Sequence, residues 1–134
     1  TPTASVYLAY SERLGRTVAL KVLDDAAEPA CTERTLAGAR LQARLAHPNI
    51  VQVLEAEQRD GRTYVAMEPV RGVDLHVRLE RGILLADLVN VIGDVARALD
   101  HVHAHDIVHR DVTPSNILVR DEGGALLTDF WLAT

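Results

Sequence analysis

Two short runs near the amino terminus, "SVYLAY" (5–10) and "TVALKVL" (17–23), are mostly apolar. Both are rich in β-branched or aromatic residues, and the polar "SERLGR" between them carries a glycine near its end, so the pair predicts a β-hairpin. The next pattern, "PACTERTLAGARLQARL" (29–45), mixes Leu, Ala, Arg and Glu as a helix does, with Thr32 as the expected N-cap. "HPNI" ends it, because Pro48 forces His47 away from helical dihedrals. A second strand pair is expected over "IVQVLEAEQ" (50–58) and "RTYVAMEPV" (62–70), joined through the turn residues "RDG" (59–61).

From Leu84 onward the period lengthens. Leu85, Leu88, Val89, Ile92, Val95, Ala96, Leu99 and Val102 recur at three- and four-residue steps, which predicts a helix over 84–104 buried along that stripe. "NILV" and "ALLTDF" then flank "RDEGG" (120–124), giving a last hairpin with Asn116 at its entrance and Asp129 near its exit. The chain shows no repeat, low-complexity tract or linker.

Composition narrows the classes. With 134 residues, 48% of them hydrophobic, there is material for one core, and disorder is not expected. The net charge of −5, with basic residues scattered, argues against a nucleic-acid partner. A lone cysteine, Cys31, cannot pair internally and fits a reducing, cytoplasmic setting, where it reads as a bystander near a helix start. No apolar run reaches the roughly 18 residues that span a bilayer, and no signal segment opens the chain. Beginning at Thr1, the chain reads as a processed product or a piece of something longer.

Chemistry gathers at the ends of the last elements. Asp111, Asn116 and Asp129 fall where loop side chains can converge on one site. The oxygens of Asn116 and Asp129 suit Mg²⁺ held against phosphate. Asp111 remains to accept a proton from a hydroxyl nucleophile. Lys21, central in "VALKVL", is costly on a half-buried strand without an anionic partner such as phosphate. "HVHAHDIVH" (101–109) also admits a metal-site reading, but no acid or cysteine set accompanies those histidines and helix ends tolerate them well.

Six stretches in order, "VYLA", "VALK", "HPNIV", "MEPVRGVDL", "HRDVTPSN" and "TDF", resemble the protein-kinase signature, and more closely the bacterial serine/threonine kinases of eukaryotic type. The resemblance covers nearly all of the chain. It implies an α+β, protein kinase-like fold: a five-stranded antiparallel sheet with one helix over 1–70, including a hinge, then the start of the helical lobe with the catalytic loop over 71–134. Activity by resemblance would be transfer of the γ-phosphoryl group of ATP, with Mg²⁺, to a serine or threonine hydroxyl of a protein. Asp111 would be the catalytic base, Asn116 and Asp129 the metal ligands, and Lys21 the grip on the α- and β-phosphates. Val6, Ala19 and Leu118 would sandwich adenine, with Met67 as gatekeeper. Backbone groups of Glu68 and Val70 would pair with the adenine edge, and Asp74 would contact ribose. His109 and Arg110 would be structural members of the catalytic loop, the arginine a partner for a phosphorylated loop.

Four departures bear on activity. Ala4 and Thr1 stand where the glycine-rich loop has its second and third glycines, and Pro2 removes an N–H donor there, so phosphate binding should weaken. Gly38 occupies the place of the helix glutamate that would orient Lys21, and Glu33, the nearest acid on that helix, points about 140° away. Trp131 replaces the glycine of "DFG", which restricts the backbone there. The chain stops at Thr134, so the activation segment and peptide-binding surface would be missing and the 84–104 helix left with an exposed apolar face able to associate. Thr113, replacing a lysine, is milder. The expectation is a kinase-domain fragment with little or no activity alone. The rivals are a pseudokinase or scaffold, a small-molecule phosphotransferase, against which Arg110 and "HPNIV" count, and a non-functional relic.

Overall fold

The computed structural model describes residues 4–23 and 28–134, which leaves Thr1 and Pro2 outside the described residues. Strands β1 (Ala4–Ser11) and β2 (Arg16–Leu23) form the first hairpin, with Gly15 at φ +64° closing its turn. Helix α1 spans Pro29–Ala43. It starts at proline, whose missing N–H costs nothing in a first turn. The N-cap is therefore Glu28, without a side-chain cap bond, and Thr32 sits inside the helix with its N–H on the Glu28 carbonyl.

Strands β3 (Val53–Arg59) and β4 (Arg62–Met67) turn over Asp60 and Gly61, both at positive φ, the conformation a tight two-residue hairpin requires. The third strand begins later than the sequence pattern suggests because Ile50 pairs instead with Leu127, while Val51 N–H donates to the Leu127 carbonyl. The sheet order is β1-β2-β4-β3, antiparallel throughout. It has four strands among the described residues, not the five expected.

The "RGVDL" segment, read only as hinge-like, is structured. Strand β5 (Gly72–Asp74) leads into α2 (Leu75–Arg81), whose N-cap Asp74 accepts from Val77 N–H at 2.8 Å. Helix α3 (Leu85–Ala104) follows, then strands β6 (Ile117–Arg120) and β7 (Ala125–Leu127), which join β5 in a second, three-stranded sheet. These residues make the protein kinase-like fold expected, an antiparallel sheet with one helix followed by part of a helical lobe.

The burial of α3 corrects the expected stripe. Val91, Val95, Ala98 and Val102 are buried, with Leu88 and Leu99 packed beside them, whereas Leu85, Val89, Ile92 and Ala96 are exposed. The two sets are both spaced at helical steps, so periodicity identifies the helix without choosing its inner face. One core cluster joins α3 to Leu45, Ile50, Ile107, Leu127 and Phe130; a second lies in the first sheet around Val51, Val53, Val65 and Met67.

Candidate active site

Strand parity positions the first half of the site. Val6 lies opposite Lys21, and Lys21 opposite Val65; Leu8 lies opposite Ala19, and Ala19 opposite Met67. Side chains two apart on a strand share a face, so Val6, Ala19, Lys21 and Met67 look the same way. They border a cleft of about 360 Å³ whose wall is completed by Val51, Glu68, Val70, Ser115, Leu118, Thr128 and Asp129. The cleft is apolar along its length, with the Lys21 ammonium and the Asp129 carboxylate among its polar groups.

Lys21 Nζ donates to Asp129 Oδ1 at 2.7 Å. The Lys21 side chain is 11% exposed and that of Asp129 24%, so each charge stabilises the other where water is scarce. Asp129 sits at φ +58°, a left-handed conformation that Asp and Asn tolerate better than other side chains. Glu33, by contrast, is exposed on α1.

The catalytic-loop candidates are held by a network of bonds. Asn116 Nδ2 donates to the Asp111 carbonyl at 2.9 Å and to Asp111 Oδ2 at 3.0 Å, and its N–H donates to the Thr113 carbonyl. With its amide hydrogens spent on Asp111, Asn116 offers its oxygen to a further partner. Buried His109 bridges this loop to the residue that follows β7: its Nδ1 accepts from Asp111 N–H at 3.1 Å, and its Nε2 donates to the Thr128 carbonyl at 2.8 Å. Those partners require the neutral ring protonated on Nε2. Burial is the main cause that lowers the His109 pKa, against the Thr128 bond and the Asp111 and Asp129 charges, which raise it. Phe130 packs edge-on against the ring, centroids 4.5 Å apart.

Three anticipated residues, Asp74, Asp111 and Asn116, stand apart from the cleft wall. Asp74 is engaged as the α2 cap, and Asp111 faces Asn116 and Trp131, whose Nε1 donates to Asp111 Oδ2 at 2.9 Å. Glu68 spends its own N–H on the Gln52 carbonyl, leaving its carbonyl as the group it can present. Val51, Ser115 and Thr128 line the cleft without having been anticipated. Each adjoins a quoted motif, in "HPNIV", "TPSN" and "TDF", and that adjacency is the signal that could have found them. Neither motif nor period announces the Trp131 contact with Asp111.

The donor types suit a hard divalent cation: the Asn116 amide oxygen and the Asp129 carboxylate are both oxygen donors, and Asp129 lies beside the lysine that would share an anionic ligand.

An antiparallel sheet with one helix, an apolar cleft closed by a lysine and an aspartate, and a loop presenting Asp and Asn define the protein kinase-like class. The chain belongs to the protein kinase family, since residues 2–134 match the model of the protein kinase domain. It is 37% identical over 137 residues to the probable serine/threonine-protein kinase pknA2 of Bifidobacterium longum, covering 97% of this chain and 18% of that protein. It is 41% identical over 138 residues to the DNA damage-responsive serine/threonine-protein kinase RqkA of Deinococcus radiodurans, covering 97% of this chain and 20% of that protein. With the serine/threonine-protein kinase PrkC of Bacillus subtilis the identity is 35% over 135 residues, covering 98% of this chain and 21% of that protein. The crystal structure of a point mutant of the Mycobacterium tuberculosis PknI kinase domain superposes with a TM-score of 0.82 at 30% identity, covering 98% of this chain and 56% of that one. The chain thus spans about a fifth of the length of these curated relatives. The family in general uses ATP and a divalent metal ion, and acts on protein substrates. No helix among the described residues is long and apolar enough to cross a membrane.

Proposed function

We propose that this chain carries the nucleotide cleft and catalytic loop of a serine/threonine protein kinase, with residues 1–70 as sheet lobe and hinge and 71–134 as the start of the helical lobe. The observation that carries the reading is the convergence of Lys21 and Asp129 at an apolar cleft, 2.7 Å apart. Val6, Ala19 and Leu118 enclose adenine beside Met67, and the Glu68 carbonyl and Val70 N–H meet its edge. Asp74 contacts ribose with its α2 cap opened or shared. Lys21 holds the α- and β-phosphates. Asn116 and Asp129 hold Mg²⁺, which offsets charge on the phosphate oxygens when bound. Asp111 accepts the proton of a serine or threonine hydroxyl as its oxygen bonds to the γ-phosphorus, the bond to the β,γ-bridging oxygen breaks and ADP leaves. His109 keeps Asp111 and Thr128 in register through the two bonds it makes.

Turnover by this chain alone is little or none, for two reasons of geometry: Asp129 is the carboxylate that engages Lys21, and Asp111 is already engaged by Trp131. The lone Cys31 supports a cytoplasmic setting. The exposed apolar row Leu85, Val89 and Ile92 on α3 supports association with another protein surface.

Calorimetric titration with ATP, with and without Mg²⁺, tests the reading. Saturable, Mg²⁺-dependent binding is expected, lost in both Lys21→Met and Asp129→Asn. A folded chain that binds no nucleotide, or binds it equally in both variants, sinks the kinase reading and leaves a scaffold.

A further inference from the structure

Trp131 and Gly38 are both departures from the family pattern, and they touch the same piece of backbone. A Cβ built on Gly38 would lie 2.1 Å from the Phe130 oxygen, 2.6 Å from the Phe130 carbonyl carbon and 2.8 Å from the Trp131 Cα. Real Cβ atoms do not approach backbone so closely, so α1 lies against residues 130–131 only because position 38 has no side chain. From that seat the Trp131 side chain reaches Asp111 and donates its indole N–H to Oδ2. A second donor, the Asn116 amide, shares the same oxygen. Indole N–H groups only donate, as does the hydroxyl of a phosphoacceptor when it gives its proton to a base.

We propose that Trp131 is an intramolecular occupant of the acceptor position on Asp111, seated by Gly38, so that phosphoryl transfer waits on its departure. The proposal rests on the kinase reading above. Its chemistry is competition for one carboxylate oxygen. A hydroxyl that approaches Asp111 Oδ2 must displace a charge-assisted hydrogen bond, a kind roughly twice as strong as a neutral one. Relief follows any change that lifts residues 130–131 off α1. Asp129 precedes this segment directly, so drawing its carboxylate from Lys21 towards a metal-bound nucleotide pulls on the backbone that carries Trp131. Trp131 in this role is a positioning residue acting on Asp111, and it takes no part in the transfer.

The chain has a single tryptophan, so one indole resonance reports the contact without ambiguity. In the ¹⁵N-labelled protein, that N–H is expected to exchange slowly with water. Asp111→Ala should let it exchange freely, and Gly38→Ala should move the resonance to the position of a free indole. Trp131→Phe keeps the ring bulk and loses the donor. Its turnover of Mg·ATP, measured with water and with a serine- and threonine-containing peptide as acceptor, is expected to rise about tenfold at unchanged nucleotide affinity, the gain from removing one bond to a charged group.

An indole that exchanges freely in the wild-type protein overturns the proposal. So does a protected indole combined with no rise in Trp131→Phe turnover when calorimetry shows nucleotide bound. If nucleotide binds neither protein, the kinase reading fails and takes the regulatory role with it, while the indole resonance still shows whether the contact exists.

Discussion

Replacing Gly38 with alanine sets two effects of opposite sign against each other. Glycine in a helix interior costs about 1 kcal/mol relative to alanine, so a helix whose outer surface carried Gly38 would gain about that much. Gly38 is buried, however, and the new methyl would meet the Phe130 oxygen at 2.1 Å, where ordinary contact begins at 3.4 Å. The three nearest atoms are all backbone, so no rotamer change relieves the clash, and α1 and the 130–131 segment must separate by more than 1 Å. Overpacking of this kind costs about 1–3 kcal/mol, and rigid neighbours place it in the upper part of that range. Displacing Trp131 also removes its bond to Asp111, worth about 1 kcal/mol for a pair that remains partly exposed. The expected balance is a net loss of about 1–3 kcal/mol, read as a fall of about 1 M in the urea midpoint. Urea unfolding followed by the fluorescence of Trp131 and by circular dichroism measures it. A midpoint that rises by the amount helix propensity alone dictates would refute the packing argument. Gly38→Glu, which restores the family's carboxylate, begins with the same Cβ and should be at least as destabilising.

Asp129→Asn and Asp129→Ala both remove the partner of Lys21, but asparagine tolerates the left-handed backbone at φ +58° and alanine does not. Chemical denaturation should therefore find the alanine variant less stable than the asparagine variant by about 1 kcal/mol; equal stabilities would remove strain from the account. Asp74→Ala deletes the only side-chain cap of α2 and should cost about 1 kcal/mol, with Asp74→Asn close to neutral, in the same measurement. Because burial lowers the His109 pKa, the unfolded chain takes up that proton first as pH falls. The stability tied to neutral His109 is present above about pH 6.5 and is lost as pH drops from there through the lowered native value. Stability measured from pH 7.5 to 5 should fall less steeply in His109→Phe than in the parent, although the variant starts lower through the loss of two hydrogen bonds; parallel slopes would show that His109 does not contribute.

Local patterns carried the elements whose cause is local. Asp60 and Gly61 supply the positive φ of a tight turn whatever surrounds them, and the two-residue step of a strand puts Lys21 on one face with Ala19. Elements set by contacts distant in sequence were hidden. Val51 leaves its expected strand because the Leu127 carbonyl, more than seventy residues on, takes its N–H. The inner face of α3 depends on which of two apolar rows meets Ile107 and Leu127, and periodicity treats both rows alike. The family motifs, compared position by position, show Gly38 and Trp131 as two independent losses, one of a carboxylate and one of backbone freedom. Their contact gives them a common cause. A glycine on α1 is what admits the Phe130 and Trp131 backbone, and a tryptophan admitted there can reach the aspartate that the motif assigns to catalysis. Reverting either residue alone would then leave the other misfitted. Gly38→Glu forces the indole off Asp111 by clash, and Trp131→Gly opens Asp111 while Lys21 still has Asp129 as its carboxylate. Both changes release Asp111 by breaking the same contact, so their effects on turnover through Asp111 should fall short of additivity, as expected for residues that share one contact.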